Sequence, residues 1–392
     1  MLKRKWIGEK NMYNIALIPG DGIGPEVIRE GKKAIEAASK YYDVKINWKE
    51  FPFGAEHYLK TGELLPDSAL KEIENMDAIY LGAVGDPRVK PGILEKEILL
   101  KIRFYFDQFI NLRPVRLYQG VSSPLKEKTS KDIDFYVIRE NTEDFYIGIG
   151  GRFESQNYQQ KHILERGIFQ TDIQINFDLD RKEEIGYQLG LITRTGTQRV
   201  IKYAFDFAKK KNLKNVSTVD KANVLSDMYG LWREIFRETA MQYPQIMTDY
   251  FYVDALTMLF VSHPEKFKVI VSPNMFGDII TDLGATIQGG IGMAAGANIN
   301  PDSVSMFEPV HGSAPDLKNK SVANPLGTIL AGAMMLDHLG ERETASSIER
   351  AVAQILQEGK VKTRDLGGKS STQLIGDEVV MKIFIQPNRC KL

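Results

Sequence analysis

Two aspartates four residues apart, Asp278 and Asp282, lie in the stretch VIVSPNMFGDIITDLG at 269–284. The β-branched run 269–271 predicts a short buried strand, and Ser272-Pro273-Asn274 breaks it. A helix starting near Phe276 then puts both carboxylates on one face. Bare carboxylates so placed repel each other unless a cation lies between them, so a divalent-metal site is one reading. A solvated first turn is the other, because acids suit the positive end of a helix. Spacing alone leaves both open.

Several cationic side chains stand where a carboxylate ligand would need them. Arg103 falls on a helix expected over 98–109, and Arg113 follows just beyond it. Arg139 ends the predicted strand IDFYVIR at 133–139, and Lys221 follows the strand VSTV at 216–219. In α/β proteins ligands bind at the carboxyl ends of strands, which makes these two better candidates than a random surface cation. Converging guanidinium forks match carboxylate geometry. A snorkelling surface residue is the competing account of Arg103, a structural phenol that of Tyr146, and a helix cap that of Asp254.

The elements that must position these groups alternate between strand and helix, which predicts an α/β fold with a largely parallel sheet. Apolar runs at 13–19, 44–48, 78–85, 133–139, 216–219 and 269–271 read as strands. The turn GDGIGPE at 20–26 lacks the GxGxxG spacing of the dinucleotide fingerprint, so it is either an anion cradle or a tight turn. Residues 150–195 break the rhythm, alternating as in Asp172-Ile173-Gln174-Ile175-Asn176-Phe177, and read as an extended arm whose edges need a partner. The glycine- and alanine-rich stretch 287–297 reads as close backbone packing, and 306–316 as a loop that carries His311.

Composition excludes some classes. The 392 residues carry 51 Lys plus Arg against 51 Asp plus Glu, so no net charge draws the chain to nucleic acid or an anionic membrane. Cys390 is the single cysteine, so an intrachain disulfide framework is impossible. No apolar run reaches the length of a membrane span. The leading MLKRKWIGEK has no apolar core like that of a signal peptide, translation beginning at Met12 is an alternative, and a cytoplasmic location is expected.

The ordered motifs IPGDGIGPE (18–26), GAVGDP (82–87), LLKIR (99–103), NLRP (111–114), RENTE (139–143), NMFGDIITDLG (274–284), FEPVHGSAPD (307–316), ANP (323–325), LAGAMML (330–336) and TRDLGG (363–368) resemble those of the isopropylmalate/isocitrate dehydrogenase family. These are metal-dependent β-decarboxylating dehydrogenases, and the match is most similar to 3-isopropylmalate and tartrate/D-malate members. The resemblance implies a two-domain α/β fold, not a Rossmann fold. A mixed-sheet large domain for nucleotide would comprise 1–108 and 289–392. A smaller α/β domain would comprise 109–288, with a dimerisation arm near 150–195. It further implies a homodimer with shared active sites, with a tetramer as the alternative.

By the same resemblance, Arg103, Arg113 and Arg139 hold a small 2-hydroxy dicarboxylic acid, beside Leu99, Leu100 and Asp254. Asp278 and Asp282 bind Mg2+ or Mn2+ together with Asp254 of a second copy. Tyr146 and Lys221 are the acid–base pair. Asn141, Glu308, His311, Gly312, Ser313, Ala314, Asp316 and Asn324 line the NAD site. A carboxylate at Asp316 favours ribose hydroxyls over a 2′-phosphate, hence NAD over NADP. Leu99 and Leu100 suggest an apolar wall suited to an isopropyl group, so 3-isopropylmalate leads. RENTE in place of RELTG keeps D-malate or tartrate and isocitrate or homoisocitrate as alternatives. A non-catalytic dimeric scaffold is the remaining one.

Overall fold

A computed structural model describes residues 12–385. The basic extension at 1–11 and Cys390 lie outside the described residues. In chain order the strands are β1 (Tyr13–Gly20), β2 (Ile46–Glu50), β3 (Ala78–Ala83), β4 (Ile110–Arg116), β5 (Asp134–Glu140), β6 (Gly150–Arg166), β7 (Phe169–Gln188), β8 (Asn215–Asp220), β9 (Met247–Tyr252), β10 (Val269–Ser272), β11 (Ala295–Ile299) and β12 (Ser305–Pro309). Ten of them form one mixed sheet in the order β2-β1-β3-β12-β11-β4-β5-β10-β8-β9. Both flanks are parallel, because helical crossovers join their strands. The centre, β12-β11-β4-β5, is antiparallel. The fold is therefore α/β in two halves with a mixed sheet and without the dinucleotide-binding topology.

Of the antiparallel centre, β5 was anticipated as a strand, whereas β4, β11 and β12 were not. A single helix over 98–109 is expected from sequence, but the chain forms a π turn at Glu95–Leu100, an α-helix at Lys101–Tyr105, and then enters β4. The expected loop at 306–316 begins inside β12, and the small-residue stretch runs into β11. Alternation along these strands decides what faces the site. On β4, Asn111 and Arg113 face one cavity, while Leu112, Pro114 and Arg116 face a second one across the sheet.

Two glycine positions show why side chains are excluded. A Cβ on Gly20, whose φ is +72°, would lie 2.0 Å from the carbonyl oxygen of Ala83. One on Gly277 would lie 2.6 Å from Cγ of Arg139, so only glycine lets the helix Asn274–Ile287 sit against that side chain. The turn at 20–26 is an interlock. Asp21 accepts backbone N–H groups from Ala55 at 2.7 Å and Gly85 at 3.0 Å, and Ile23 N–H donates to Ser313 O at 2.8 Å.

Residues 150–188 form one long hairpin of β6 and β7, with a register irregularity between Ser155 and Asn157. Near its tip, Arg166 donates to the carbonyls of Thr142 and Ile147, and its guanidinium lies 4.2 Å from the Phe104 ring centroid. The hairpin thus folds back onto the segment from which it springs. Phe153 and Tyr158 stack at 3.9 Å on it, with Phe177 and Tyr187 alongside.

Candidate active site

The carboxyl end of β5 and the first turns of the helix Asn274–Ile287 build the centre of the site. Arg139 is almost wholly buried. Its Nε and Nη2 donate to Asn274 Oδ1 at 2.9 and 2.7 Å, and its Nη1 meets Asp278 Oδ1. Arg113, from β4, donates to Thr281 Oγ1 at 2.6 Å and lies 3.6 Å from Asp278 and 3.9 Å from Asp282. The cation beside these two aspartates within one chain is therefore Arg113. Tyr146 donates its hydroxyl proton to Asp278 Oδ2 at 2.7 Å, and its ring lies 5.1 Å from the Arg139 guanidinium.

Electrostatics follow from this packing. Burial alone pushes the Asp278 carboxyl up, but Arg139, then Arg113, and the Tyr146 hydrogen bond outweigh it, leaving Asp278 below its ordinary value. Burial and then Asp278 itself hold the Tyr146 phenol above its ordinary value. Tyr146 is thus a proton donor at neutral pH, and Asp278 is a carboxylate.

Arg103, Arg113, Arg139, Tyr146 and Asp278 open onto one cavity of about 250 Å³. Leu81, Val84, Leu99 and Val310 contribute apolar lining to the same cavity. Of the two leucines expected there, the structure places Leu99 on the cavity and Leu100 off it. The π turn that ends at Leu100 is the kind of local irregularity that re-aims side chains near functional sites.

Of the residues expected to line a nucleotide site, Glu308, His311 and Gly312 line the same cavity, whereas Asn141, Ser313, Ala314, Asp316 and Asn324 do not. Glu308 accepts from Arg103 Nη2 at 3.0 Å and from Asn298 Nδ2 at 2.7 Å. His311 and Gly312 line the cavity. His311 is buried, which holds its pKa below the ordinary value. Its Nδ1 contacts Gly312 O at 3.0 Å and its Nε2 has no protein partner. That pairing makes Nδ1 the donor and leaves Nε2 an acceptor. Ala314 adopts φ +39°, and the turn Pro315–Leu317 presents Asp316 to solvent. Ser313 and Asn324 are buried; Asn324 donates to Asp365 at 2.9 Å. Asn141 is buried between the carbonyl of Gln108 and Asn298.

Lys221 and Asp254 stand apart from this cavity and pair with each other at 2.5 Å, the carboxylate largely exposed. Among the described residues of one chain, no three acidic, histidine or cysteine side chains gather as a metal cluster. Asp278 and Asp282 nevertheless have the chemistry for a hard cation: two carboxylates one helical turn apart, with side chains 38% and 69% exposed. One chain supplies two such ligands, and Asp254 is presented outward.

Four positioning residues were not anticipated as such: Asn274 and Thr281 on the metal-side helix, Asn298 on β11, and Asp365 behind Asn324. Each acts through another side chain. Motif spacing flags residues that touch ligand more readily than those that orient them, although Asn274, Thr281 and Asp365 lie inside the recognised motifs.

Comparison with known proteins places this geometry. The profile described as isocitrate/isopropylmalate dehydrogenase matches residues 14–379. A 3-isopropylmalate dehydrogenase of Thermobifida fusca is 45% identical over 374 residues, spanning 95% of this chain and 98% of that one. One from Streptomyces griseus is 43% identical over 372 residues, spanning 94% and 98%. The crystal structure of isocitrate dehydrogenase from Methylococcus capsulatus superposes with a TM-score of 0.81 at 36% identity, covering 95% of this chain and 99% of that chain. The TT0538 protein from Thermus thermophilus gives a TM-score of 0.81 at 30% identity, covering 99% and 72%. The chain belongs to the isocitrate/isopropylmalate dehydrogenase family, metal- and NAD-dependent dehydrogenases that oxidatively decarboxylate hydroxy dicarboxylic acids.

Proposed function

We propose that the protein is an NAD-dependent 3-isopropylmalate dehydrogenase, forming 4-methyl-2-oxopentanoate and CO2 in leucine biosynthesis in the cytoplasm. One observation carries the substrate: the cavity is lined by Arg103, Arg113 and Arg139 together with Leu81, Val84, Leu99 and Val310. The cations suit two carboxylates, and the apolar lining suits a branched alkyl substituent better than a third carboxylate.

Arg113 and Arg139 orient the malate carboxylates, and Arg103 binds from the nucleotide side. Bound NAD would supply the acceptor for the C2 hydride, and a bound divalent cation, Mg2+ or Mn2+, would supply Lewis acidity for the decarboxylation. Asp278 and Asp282 would hold that cation, with Asp254 of a second copy. Lys221 of that copy takes the proton of the C2 hydroxyl as the C2–H hydride departs to NAD. The bond to the adjacent carboxylate then breaks, CO2 leaves, and the electron pair remains as an enolate. Tyr146 gives its phenolic proton to the enolate carbon. Asn141, Glu308, His311, Gly312, Ser313, Ala314 and Asn324 form the nucleotide wall, and Asp316 selects NAD.

The homodimer in this reading is supported by exposed apolar side chains close to the shared groups. Met258 and Val261, on the helix Val253–Ser262, and Ile279, on the adjacent helix, are 72%, 51% and 56% exposed. The testing experiment is a kcat/KM panel of 3-isopropylmalate, D-malate, tartrate, isocitrate and homoisocitrate with Mn2+ and either nucleotide. We expect 3-isopropylmalate with NAD to lead. A higher kcat/KM for another acid, or for NADP, overturns that assignment.

A further inference from the structure

We infer that Asn298 is a positioning residue for the cleft, a single buried amide that sets the carboxylate of Glu308 and, through it, the guanidinium of Arg103. The inference rests on the dehydrogenase reading above. Asn298 lies on β11 and is fully buried. Its Oδ1 accepts from Nδ2 of Asn111, on β4, at 2.9 Å and from Nδ2 of Asn141, just beyond β5, at 3.0 Å. Its own Nδ2 donates to Oε1 of Glu308, on β12, at 2.7 Å. That same oxygen accepts from Arg103 Nη2 at 3.0 Å. Asn141 is in turn fixed by the carbonyl of Gln108 at 2.9 Å. Segments from both halves of the sheet thus meet at one side chain.

The two ends of this amide are not interchangeable. Two amide donors claim its oxygen, so only its nitrogen can meet Glu308. Asn298 is the member whose oxygen and nitrogen are both paired, while Oδ1 of Asn111, Oδ1 of Asn141 and Nε of Arg103 have no protein partner, so the network's geometry is held at Asn298. An aspartate at 298 keeps the two accepted hydrogen bonds and places an oxygen against Glu308 Oε1. Two carboxylates in contact share a proton, and one of them titrates far above its ordinary range. The other charged groups that act on Glu308 are Arg103, Arg113 and His311. The arginines stay charged, and His311 is buried with a lowered pKa, so none supplies a new titration near neutrality.

The test compares full-length wild type, N298D, E308Q and N298D/E308Q for NAD and substrate kinetics and for melting temperature, from about pH 6 to about pH 9. Relative to wild type, N298D should lose more than about tenfold in kcat/KM as pH rises, while E308Q shows a loss that does not vary with pH. In the double variant the amide introduced at position 308 donates to the carboxylate introduced at position 298. Its kcat/KM should therefore return to that of E308Q, and the added pH dependence should vanish. Additive losses, or an N298D profile parallel to wild type, overturn the inference. If N298D alone does not fold, recovery of folding in the double variant supports the coupling, and a double variant that also fails overturns it. Wild-type kinetics in E308Q would overturn the assigned role of Glu308 instead. The coupling would then still be supported by pH-dependent melting of N298D that disappears in the double variant.

Discussion

The Tyr146 hydroxyl donates to Asp278 Oδ2 at 2.7 Å while Arg139 meets the other oxygen of the same carboxylate. The proposed general acid and the proposed metal ligand are therefore hydrogen-bond partners within one chain. A cation on Asp278 competes with both the phenol and the guanidinium, and its positive charge favours the ionised phenol. A cation held there would therefore move the Tyr146 pKa down from its raised position, toward a value at which the phenol gives up its proton more readily.

Tyr146→Phe should lower kcat by about 10²- to 10⁴-fold, the usual range for a positioned general acid, with a much smaller change in KM. Because the variant frees one oxygen of Asp278, Mn2+ affinity measured by titration calorimetry should hold or rise. A kcat within a factor of about two of wild type would remove Tyr146 from the chemistry.

Leu99 lines the cavity and Leu100 does not. Leu99→Ser should cost about 1.5–3 kcal/mol of transition-state binding for 3-isopropylmalate and much less for D-malate, which lacks the alkyl group. Leu100→Ser should change the ratio of the two kcat/KM values less. Equal changes in that ratio would mean that the π turn does not select which leucine meets the substrate.

Lys221 pairs with Asp254 away from the cavity that holds Tyr146. If each site takes Lys221 from its partner, inactive K221A and inactive Y146F should complement when unfolded together and refolded. One of the two sites in the mixed dimer is then intact, giving about a quarter of wild-type activity after random mixing. No recovery, from mixed dimers shown to have formed, would place all catalytic groups in one chain.

Glu143 accepts from the backbone N–H of Thr193 at 2.8 Å and from its hydroxyl at 2.6 Å, beneath the helix Arg194–Lys210. Burial, and then the neighbouring Glu140, pushes its carboxyl up to about 7. The folded protein therefore keeps a proton that the unfolded chain loses near 4.5, so stability falls as pH rises between those values. Glu143→Gln cannot titrate and should show a smaller loss of melting temperature from about pH 5 to about pH 8 than wild type. Glu140 is raised by burial as well, so part of the slope should remain.

Flanking parallel strands such as YNIALIP and VIVS were legible because they are buried on both faces and read as uninterrupted apolar segments, whereas the exposed edge strand β9 was not read as one. The central strands β4 and β11 hid for the opposite reason. NLRPVR is broken by Arg113, which faces the site cavity, and by Pro114 and Arg116, which face the second cavity across the sheet, and AGANI is made of small residues. Arg139 was legible from its position at a strand end, and Asp278 and Asp282 from their helical spacing as sharing one face; Arg113, expected just beyond a helix, instead lies within β4. Asn298 was not legible, since its importance lies in three amide contacts made by residues 111, 141 and 308. No local spacing encodes a meeting of segments so distant in sequence.

The central claim is an oxidative decarboxylation that couples hydride transfer to loss of CO2 at this cavity. The most direct measurement follows 3-isopropylmalate consumed, NADH formed and CO2 released in one Mn2+-containing reaction. The account predicts equal molar amounts of all three, and none when the cation is chelated. NADH without CO2, turnover that survives chelation, or no NADH from any hydroxy dicarboxylic acid would contradict it.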